Sequence, residues 1–404
     1  MKPFYRVFCR AYQLVFRAVL PLLPYREPVE LTGLSSIPPL LGEKGVASVL
    51  LVTDRGVRSL GLTEPLETAL AARHIACAVY DGVVQNPTVD NVEAGRALYL
   101  SSGAQAIIAV GGGSAMDCAK AIGARIARPN RSVQRMKGLL RVLRRTPLMI
   151  AAPTTAGTGS ETTLAAVITD ARARHKYPIN DFALIPDYAV FDPQLTAGLP
   201  PQLTATTGMD ALTHAVEAYI GRSTTKLTRA MAEKAVCLIH DNLLTAYHSG
   251  SDMQARANML EAAYCAGIAF TRSYVGYVHG VAHSLGGQYG VPHGLANAVI
   301  LPYFLEEYGA SAEKKLASLS RLCGVSAQTD GDAQAAKAFI AWIRAMNEAM
   351  HIPTALPEIR EADITRMARH AAQESNPLYP VPKLMDAREL EVMYHRLMPK
   401  EDIA

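Results

Sequence analysis

The sequence predicts an α/β domain with a parallel sheet, followed by an all-helical domain. Between residues 46 and 191, short β-branched runs alternate with helical stretches, which is typical of a parallel sheet with helices on its faces. After residue 199, Ala-, Leu- and Met-rich stretches with helical periodicity run almost to the C-terminus, and strand signals nearly vanish. We therefore divide the chain into an N-terminal extension, an α/β domain and a helical domain, over residues 1–32, 33–199 and 200–404.

Length and composition agree with two globular domains. The chain has 404 residues, of which 50% are hydrophobic and 19% are charged, and such a length exceeds the size of one hydrophobic core. The formal net charge of +4 is too small for a nucleic-acid-binding surface, although basic residues cluster between Arg125 and Arg145. We therefore expect no nucleic-acid partner.

The cysteines and the N-terminus predict a cytoplasmic protein. The six cysteines lie far apart in the sequence and form no Cys-x-x-Cys pair, which excludes a zinc knuckle and favours free thiols in a reducing compartment. Arg6, Arg10 and Arg17 interrupt the apolar N-terminus, so that it contains neither a bilayer-spanning run nor the pattern of a signal peptide.

Five strands are predicted in the α/β domain, each from a short apolar run. Turn-forming residues follow the first three of these runs. Because ligands of such sheets bind beyond the carboxyl ends of the strands, the loops that follow the strands are the candidate binding loops. The predicted strands are residues 47–53, 76–80, 106–110, 148–152 and 189–191.

Two of these loops have the composition of a dinucleotide site. Residues 106–120 read AIIAVGGGSAMDCAK; the glycines let the backbone approach a ligand, and the following helix N-terminus attracts a phosphate. Residues 153–161 read PTTAGTGSE, which leaves room for a ligand and supplies hydroxyls to it. Either loop alone is also explained as a tight turn or a helix cap. The pair favours a dinucleotide, although the first loop lacks both the G-x-G-x-x-G fingerprint and the P-loop pattern.

Asp54 closes the first predicted strand, the position at which an acidic residue would contact the adenosine ribose of a dinucleotide. A carboxylate there accepts hydrogen bonds from the 2′- and 3′-hydroxyls and repels a 2′-phosphate. The sequence therefore predicts NAD rather than NADP, with a simple turn-forming role for Asp54 as the alternative.

Metal-ligand side chains concentrate in two segments of the helical domain. Residues 208–219 read GMDALTHAVEAY and place Asp210 and His214 on one face of a helix. Residues 278–302 read VHGVAHSLGGQYGVPHGLANAVILP and contain His279, His283 and His293. One such histidine is usually a core residue, but a carboxylate with two or three imidazoles suits Fe²⁺, Zn²⁺, Co²⁺ or Mn²⁺. Spacing alone leaves open whether His279 or His283 is a ligand.

Four runs closely resemble the signatures of iron-containing alcohol dehydrogenases, whose fold is related to that of dehydroquinate synthase. They are GGGSAMDCAK, PTTAGTGSE, GMDALTHAVEAY and HGVAHSLGGQYGVPHGLANAVILP, and the resemblance extends from about residue 33 to the C-terminus. It implies an enzyme that interconverts a small alcohol and its aldehyde or ketone, with NAD and with Fe²⁺, or else Zn²⁺ or another divalent metal. We also expect a homo-oligomer, most simply a dimer.

The resemblance also implies roles for individual residues. The implied metal ligands are Asp210, His214, His279 and His293. The residues implied to line the cofactor site are Asp54, Asn86, Gly112, Gly113, Ser114, Asp117, Thr154, Thr155, Val167, Lys176 and Leu195.

Three further residues are placed near the substrate by the resemblance. His283 resembles a catalytic histidine beside the nicotinamide and the metal, where it would accept or relay a proton. Phe270 resembles part of the substrate wall. Arg272 stands where many relatives carry Asn; it would narrow the pocket or attract an anionic substrate, but an outward-pointing surface residue is the preferred interpretation.

Two other functions compete with this interpretation. One is a non-redox metal and NAD enzyme of the dehydroquinate synthase type, which needs a basic polyanion pocket that the apolar run after His293 does not offer. The other is a binding protein that retains only the fold, against which the intact set of metal-ligand residues argues.

The N-terminal extension predicts an amphipathic helix over residues 4–20. A basic and polar stripe runs along one side, and an apolar face lies opposite. Such a helix suits the surface of an anionic membrane, but packing of the apolar face on the enzyme or on another subunit is the preferred interpretation. The stripe consists of Arg6, Arg10, Gln13 and Arg17, and the apolar face of Phe4, Phe8, Leu14, Val15 and Val19.

Overall fold

The structure, a computed structural model, describes residues 1–172 and 175–399 and divides into two compact units. The α/β unit comprises Pro24–Leu199 with Ser251–Leu260, and the helical unit comprises Met1–Leu23, Pro200–Gly250 and the chain from Glu261 onward. The predicted class, an α/β domain followed by an all-helical domain, is confirmed. The segment predicted as a separate extension, residues 1–32, is divided between the two units.

The main sheet has six strands, all parallel, in the order β1-β9-β6-β4-β2-β3. A second, three-stranded sheet has the order β5-β8-β7, in which β7 and β8 are antiparallel. The strands are β1 (Val29–Thr32), β2 (Ser48–Asp54), β3 (Ala76–Val83), β4 (Ala106–Gly111), β5 (Gly138–Leu139), β6 (Leu148–Pro153), β7 (Ala165–Asp170), β8 (His175–Asn180) and β9 (Tyr188–Phe191).

The apolar side chains of the central strands point to both faces of the main sheet, and both faces are therefore covered. Leu50 and Val52 of β2 join one apolar cluster with residues of neighbouring helices, whereas Val49 and Leu51 join the other cluster. Successive side chains of a strand point to opposite faces, so a strand that is apolar at every position belongs in a doubly covered sheet.

The remaining regular structure is helical. The helices are α1 (Pro3–Val19), α2 (Ile37–Glu43), α3 (Arg55–Ser59), α4 (Glu64–Ala71), α5 (Val89–Ser101), α6 (Gly113–Ala127), α7 (Gln194–Ala197), α8 (Pro201–Ile220), α9 (Lys226–His248), α10 (Met253–Ser273), α11 (Tyr277–Tyr289), α12 (His293–Tyr308), α13 (Glu313–Leu322), α14 (Asp332–Ala349), α15 (Glu361–Ser375) and α16 (Ala387–Leu397). Among the helices of the described ranges, none has both the length and the apolar composition needed to span a bilayer.

Candidate active site

The two glycine- and hydroxyl-rich loops lie side by side at the carboxyl edge of the main sheet. They follow the neighbouring parallel strands β4 and β6, whose last residues, Gly111 and Pro153, are paired. The backbone N–H of Thr154 donates to the carbonyl of Gly111 over 3.0 Å. Both loops therefore begin at the edge where parallel sheets bind their ligands.

Close packing explains the glycines at this edge. A Cβ at Gly111 would lie 2.5 Å from the Cβ of Ala115, and a Cβ at Gly113 would lie 2.9 Å from the side chain of Thr158. Glycine is therefore required for the turn from β4 into α6 and for its contact with the loop after β6. Since Gly113 is the first residue of α6, the unpaired N–H groups of this helix point toward the same edge, where an anion would be stabilised.

The structure connects several of the residues predicted to line the cofactor site. Lys176 donates to the Asn86 side-chain oxygen over 2.6 Å, and the backbone N–H of Asn86 lies 3.4 Å from the hydroxyl of Ser114. Asp117 accepts one hydrogen bond from the backbone N–H of Val167, over 3.1 Å. These contacts join α6 to the loop after β3 and to the β7–β8 hairpin.

The other predicted cofactor residues have different surroundings. Asp54 ends β2 and its Oδ1 accepts from the backbone N–H of Val57 over 2.9 Å, so it caps α3. Gly112 and Thr155 approach each other across the two loops, because a Cβ at Gly112 would lie 3.5 Å from the Thr155 side chain. Leu195 is nearly fully buried in the apolar cluster on one face of the sheet.

Lys120, which was not among the predicted site residues, fixes the loop after β6. Its side chain is 1% exposed, and burial lowers its pKa to about 8. The ammonium group contacts both oxygens of Ser160, at 2.6 and 3.1 Å, and both oxygens of Thr163, at 2.9 and 2.7 Å, and it reaches the carbonyl of Ala165 at 3.0 Å. Lys120 therefore holds the PTTAGTGSE loop against α6.

The helical unit brings together the four residues predicted as metal ligands. Each of Asp210, His214, His279 and His293 offers one ligand atom, and these atoms all lie within 4.8 Å of one another. The first three residues are buried, and the His293 side chain is 36% exposed. Burial and the neighbouring histidines hold the pKa of His279 well below its usual value, which favours the neutral imidazole that binds metals.

Two helices supply His279 and its partner, Glu217. The Glu217 carboxylate lies 2.6 Å from Nδ1 of His279 and accepts backbone N–H groups of Gly276 and Val278, over 2.8 and 2.9 Å. Burial raises the pKa of Glu217 to about 7. Because Nδ1 of His279 faces the carboxylate, Nε2 is left to face Asp210 and the other histidines, as in carboxylate–histidine–metal arrangements.

Asn297 contacts three of the four predicted metal ligands. Its side-chain amide donates to Oδ1 of Asp210 over 2.6 Å and lies 3.3 and 3.1 Å from Nε2 of His279 and His293. Asn297 is fully buried and stands one helical turn after His293 in α12. A Cβ at Gly294 would lie 2.5 Å from a backbone oxygen of α8, so glycine allows α12 to approach α8 closely.

His283 lies beside the four-residue group and not within it. Its Nδ1 is 2.6 Å from Glu374, which also accepts from the Tyr379 hydroxyl over 2.7 Å. Its ring stacks on that of His293, with 5.2 Å between centroids, and its side chain is 42% exposed. The geometry thus separates His279 from His283, which the spacing of the sequence could not do.

Of the two predicted substrate-pocket residues, Phe270 lies close to the candidate metal site. Its ring stacks on that of His214, with centroids 4.1 Å apart and planes inclined by 14°. Arg272, in the last turn of α10, is partly buried, and its outward-pointing role stays a prediction.

Helical spacing could have revealed two of the residues that the sequence analysis missed. Glu217 follows Asp210 by seven positions and His214 by three, so it lies on the same face of α8. Asn297 follows His293 by four positions. A buried acid or amide in register with metal-ligand residues is the signal that identifies such partners.

Comparison with known proteins places the chain in a family. Its residues 30–193 match the model described as iron-containing alcohol dehydrogenase, and residues 204–398 match the model of the C-terminal part of the Fe-containing alcohol dehydrogenase family. The 1,3-propanediol dehydrogenase of Klebsiella pneumoniae is 39% identical over 341 residues, which are 83% of this chain and 87% of that protein.

Two solved structures support the same conclusion. A crystal structure of 1,3-propanediol oxidoreductase has a TM-score of 0.89 and 36% identity, and the match covers 93% of this chain and 99% of the other. The sulfoacetaldehyde reductase of Bifidobacterium kashiwanohense in complex with NAD⁺ has a TM-score of 0.82 and 28% identity, over 92% and 98% of the two chains. These relatives favour a redox enzyme over the non-redox alternative. The chain therefore belongs to the iron-containing alcohol dehydrogenase family and is an oxidoreductase that acts on alcohols.

Proposed function

We propose that this enzyme interconverts a short-chain alcohol and its aldehyde or ketone, with NAD as the cofactor and one divalent metal ion per subunit. The observation that carries the proposal is the convergence of Asp210, His214, His279 and His293 on one point of the helical unit. Fe²⁺ is the proposed metal, and Zn²⁺ or another divalent ion is the alternative. The names of the relatives, among them 1,3-propanediol dehydrogenase, support a small substrate.

The donor set fits such an ion. One carboxylate and three imidazoles suit divalent transition metals, and four protein ligands leave a coordination position for substrate in an ion that accepts five or six. When bound, the metal would supply Lewis acidity at the substrate oxygen, and NAD would supply the hydride acceptor. Three ligand residues are buried and His293 is partly exposed, which supports substrate access from the side of His293.

The chain's own residues have separate tasks in this proposal. Glu217 orients His279, and Asn297 orients Asp210, through the hydrogen bonds described above. His283 presents Nδ1 to Glu374, so its Nε2 would accept the proton that the substrate hydroxyl loses and pass it toward solvent. Phe270 would exclude water beside His214.

An activity screen tests this function directly. The purified protein, loaded with Fe²⁺ or Zn²⁺, is expected to form NADH from NAD with at least one short-chain alcohol, and to consume NADH with the matching aldehyde. Chelation of the metal is expected to abolish both reactions, and restoring the metal is expected to recover them. A metal-loaded protein that is inactive with a broad panel of alcohols and aldehydes would contradict the proposal.

Replacing Glu217 with glutamine is expected to weaken metal binding by about 10- to 100-fold, because the amide cannot accept all three donors that the carboxylate now accepts. Competition with a metal chelator measures this affinity without relying on activity. The exposed Glu348 of α14 offers a matched control, and Glu348→Gln is expected to bind metal as the wild type does. Equal affinities for both variants would exclude an orienting role for Glu217.

Replacing Asp54 with asparagine is expected to raise the ratio of kcat/KM for NADP to that for NAD. Asparagine keeps the oxygen that caps α3 and removes only the charge that opposes a 2′-phosphate. The measurement is steady-state kinetics with both cofactors on one alcohol. If the ratio stays unchanged while thermal stability is also unchanged, Asp54 acts as a cap and not as a cofactor selector.

We also propose the cytoplasm as the compartment and a dimer as the assembly. All six cysteines are free thiols, which supports a reducing compartment. The Sγ atoms of Cys237 and Cys323 nevertheless lie 3.2 Å apart, although the two residues are distant in the sequence. Sedimentation of the purified protein under reducing conditions measures the proposed subunit number.

A further inference from the structure

Helix α1 packs on the helical unit through a narrow polar stripe. The Arg10 guanidinium donates to the carbonyls of Val381 and Pro382 over 2.7 and 2.8 Å. The Gln13 amide donates to the carbonyls of Pro377 and Tyr379, over 3.2 and 2.7 Å. Only Cys9 and Gln13 of α1 are buried. The polar stripe, and not the apolar face, therefore holds the helix on the enzyme.

The apolar face of α1 has no cover in the described chain. Phe4, Leu14 and Val15 are 86%, 68% and 64% exposed, and Leu22, just beyond the helix, is 82% exposed. The interpretation preferred from the sequence was packing of this face on the enzyme body or on another subunit; the first of these is wrong, and the second stays a prediction. An exposed apolar face of this length marks an interaction surface.

The charged side chains of the segment that carries this face are all positive. Residues 1–26 contain five basic side chains and no acidic one, since the first carboxylate of the chain is that of Glu27. Arg6 and Arg17, both exposed, belong to the polar stripe, which borders the apolar face at Leu14. The basic residues are Lys2, Arg6, Arg10, Arg17 and Arg26.

We propose that the apolar face of α1 binds the surface of a membrane that contains anionic lipid. Helices with aromatic and aliphatic residues on one face and basic residues at its edge lie in the plane of the lipid headgroups. The exposed Lys2, Arg6 and Arg17 would contact lipid phosphates, and the apolar side chains would enter the boundary of the acyl chains. Arg10 and Gln13 would meanwhile keep the helix attached to the enzyme.

A second copy of the chain is a less suitable occupant of this face. Two α1 helices that met through their apolar faces would bring together two segments that carry only positive charges. The positive charges of the two helices would repel each other, whereas anionic headgroups would neutralise them.

Co-sedimentation of the metal-loaded, full-length enzyme with vesicles tests the proposal. At low salt, we expect the protein to sediment with vesicles of phosphatidylcholine and phosphatidylglycerol in equal parts, and to remain in solution with phosphatidylcholine alone. High salt is expected to weaken the binding. Failure to sediment with the anionic vesicles at low salt, or equal binding to the neutral ones, would overturn the proposal.

Two double variants identify the surface. Phe4→Ser/Val15→Ser removes two exposed apolar side chains and is expected to lower vesicle affinity by at least about tenfold with unchanged kcat and melting temperature. Arg141→Ser/Arg144→Ser removes two exposed cations of another basic segment and is expected to bind vesicles as the wild type does. Equal loss of binding in both variants would indicate non-specific attraction by positive charge.

The same variants distinguish the membrane from a second copy of the chain as the partner of this face. If Phe4→Ser/Val15→Ser lowers the number of subunits in sedimentation analysis, the apolar face is a subunit interface, and the membrane proposal fails. If vesicle binding persists in this variant, the face is not the lipid-binding surface.

Discussion

Replacing His279 with alanine is expected to remove the metal from the enzyme and to lower kcat/KM by at least about 1,000-fold, equivalent to about 4 kcal/mol of transition-state stabilisation. His279 is one of four residues whose ligand atoms lie within 4.8 Å of one another. Its loss would also leave the buried Glu217 carboxylate without its histidine partner. Metal analysis of the purified variant and steady-state kinetics measure the two effects.

The comparison with His283→Ala makes this prediction specific. His283 lies outside the four-residue group and pairs with Glu374, so its alanine variant is expected to retain metal and to lose activity through impaired proton transfer. His370→Ala, at an exposed position of α15, controls for removal of a histidine as such. Metal that is retained in His279→Ala and lost in His283→Ala would reverse the assignment.

Replacing Lys120 with methionine is expected to lower the free energy of unfolding by about 3 kcal/mol or more. Methionine fills a similar volume but donates no hydrogen bond, so the buried carbonyls of Ser160 and Thr163 would lose the ammonium group as a donor. The loop after β6 would then lose its attachment to α6, and weaker binding of NAD is expected as a second effect. Urea denaturation measures the stability, and fluorescence titration measures the NAD affinity.

A lysine at the surface provides the control for Lys120. Lys337 is exposed on α14, and Lys337→Met is expected to change the free energy of unfolding by less than about 0.5 kcal/mol. A Lys120→Met protein as stable as this control would show that the network around Lys120 contributes nothing to the fold.

The sequence predicted the central strands well because their side chains are apolar on both faces. Residues 47–53 and 106–110 correspond closely to β2 and β4, which lie inside the main sheet. It did not predict β1 or β8. β1 is an edge strand with mostly exposed side chains, and β8 contains Pro178 and the charged Lys176. Their strand conformation depends on pairing with distant residues, which no local pattern reveals.

Spacing alone predicted the candidate metal site only where one helix supplies both residues, whereas the resemblance implied all four. Asp210 and His214 were recognised from their spacing in α8, and the distinction between His279 and His283 required the packing of α11 against α8 and α12. Lys120 gave no separate signal, because its importance depends on which oxygens surround it. The fold decides which groups distant in sequence form hydrogen bonds, and no local sequence pattern reveals these pairs.

Because a ribosome makes a chain from its N-terminus, the N-terminal segment is synthesised long before the residues that it contacts. The first strand, β1, pairs in the sheet with β9 alone, and Arg10 of α1 reaches a carbonyl 371 residues further along the chain. Neither segment can find its partner until those later residues have left the exit tunnel. Helix α1 therefore docks late, when nearly all of the helical unit has been synthesised.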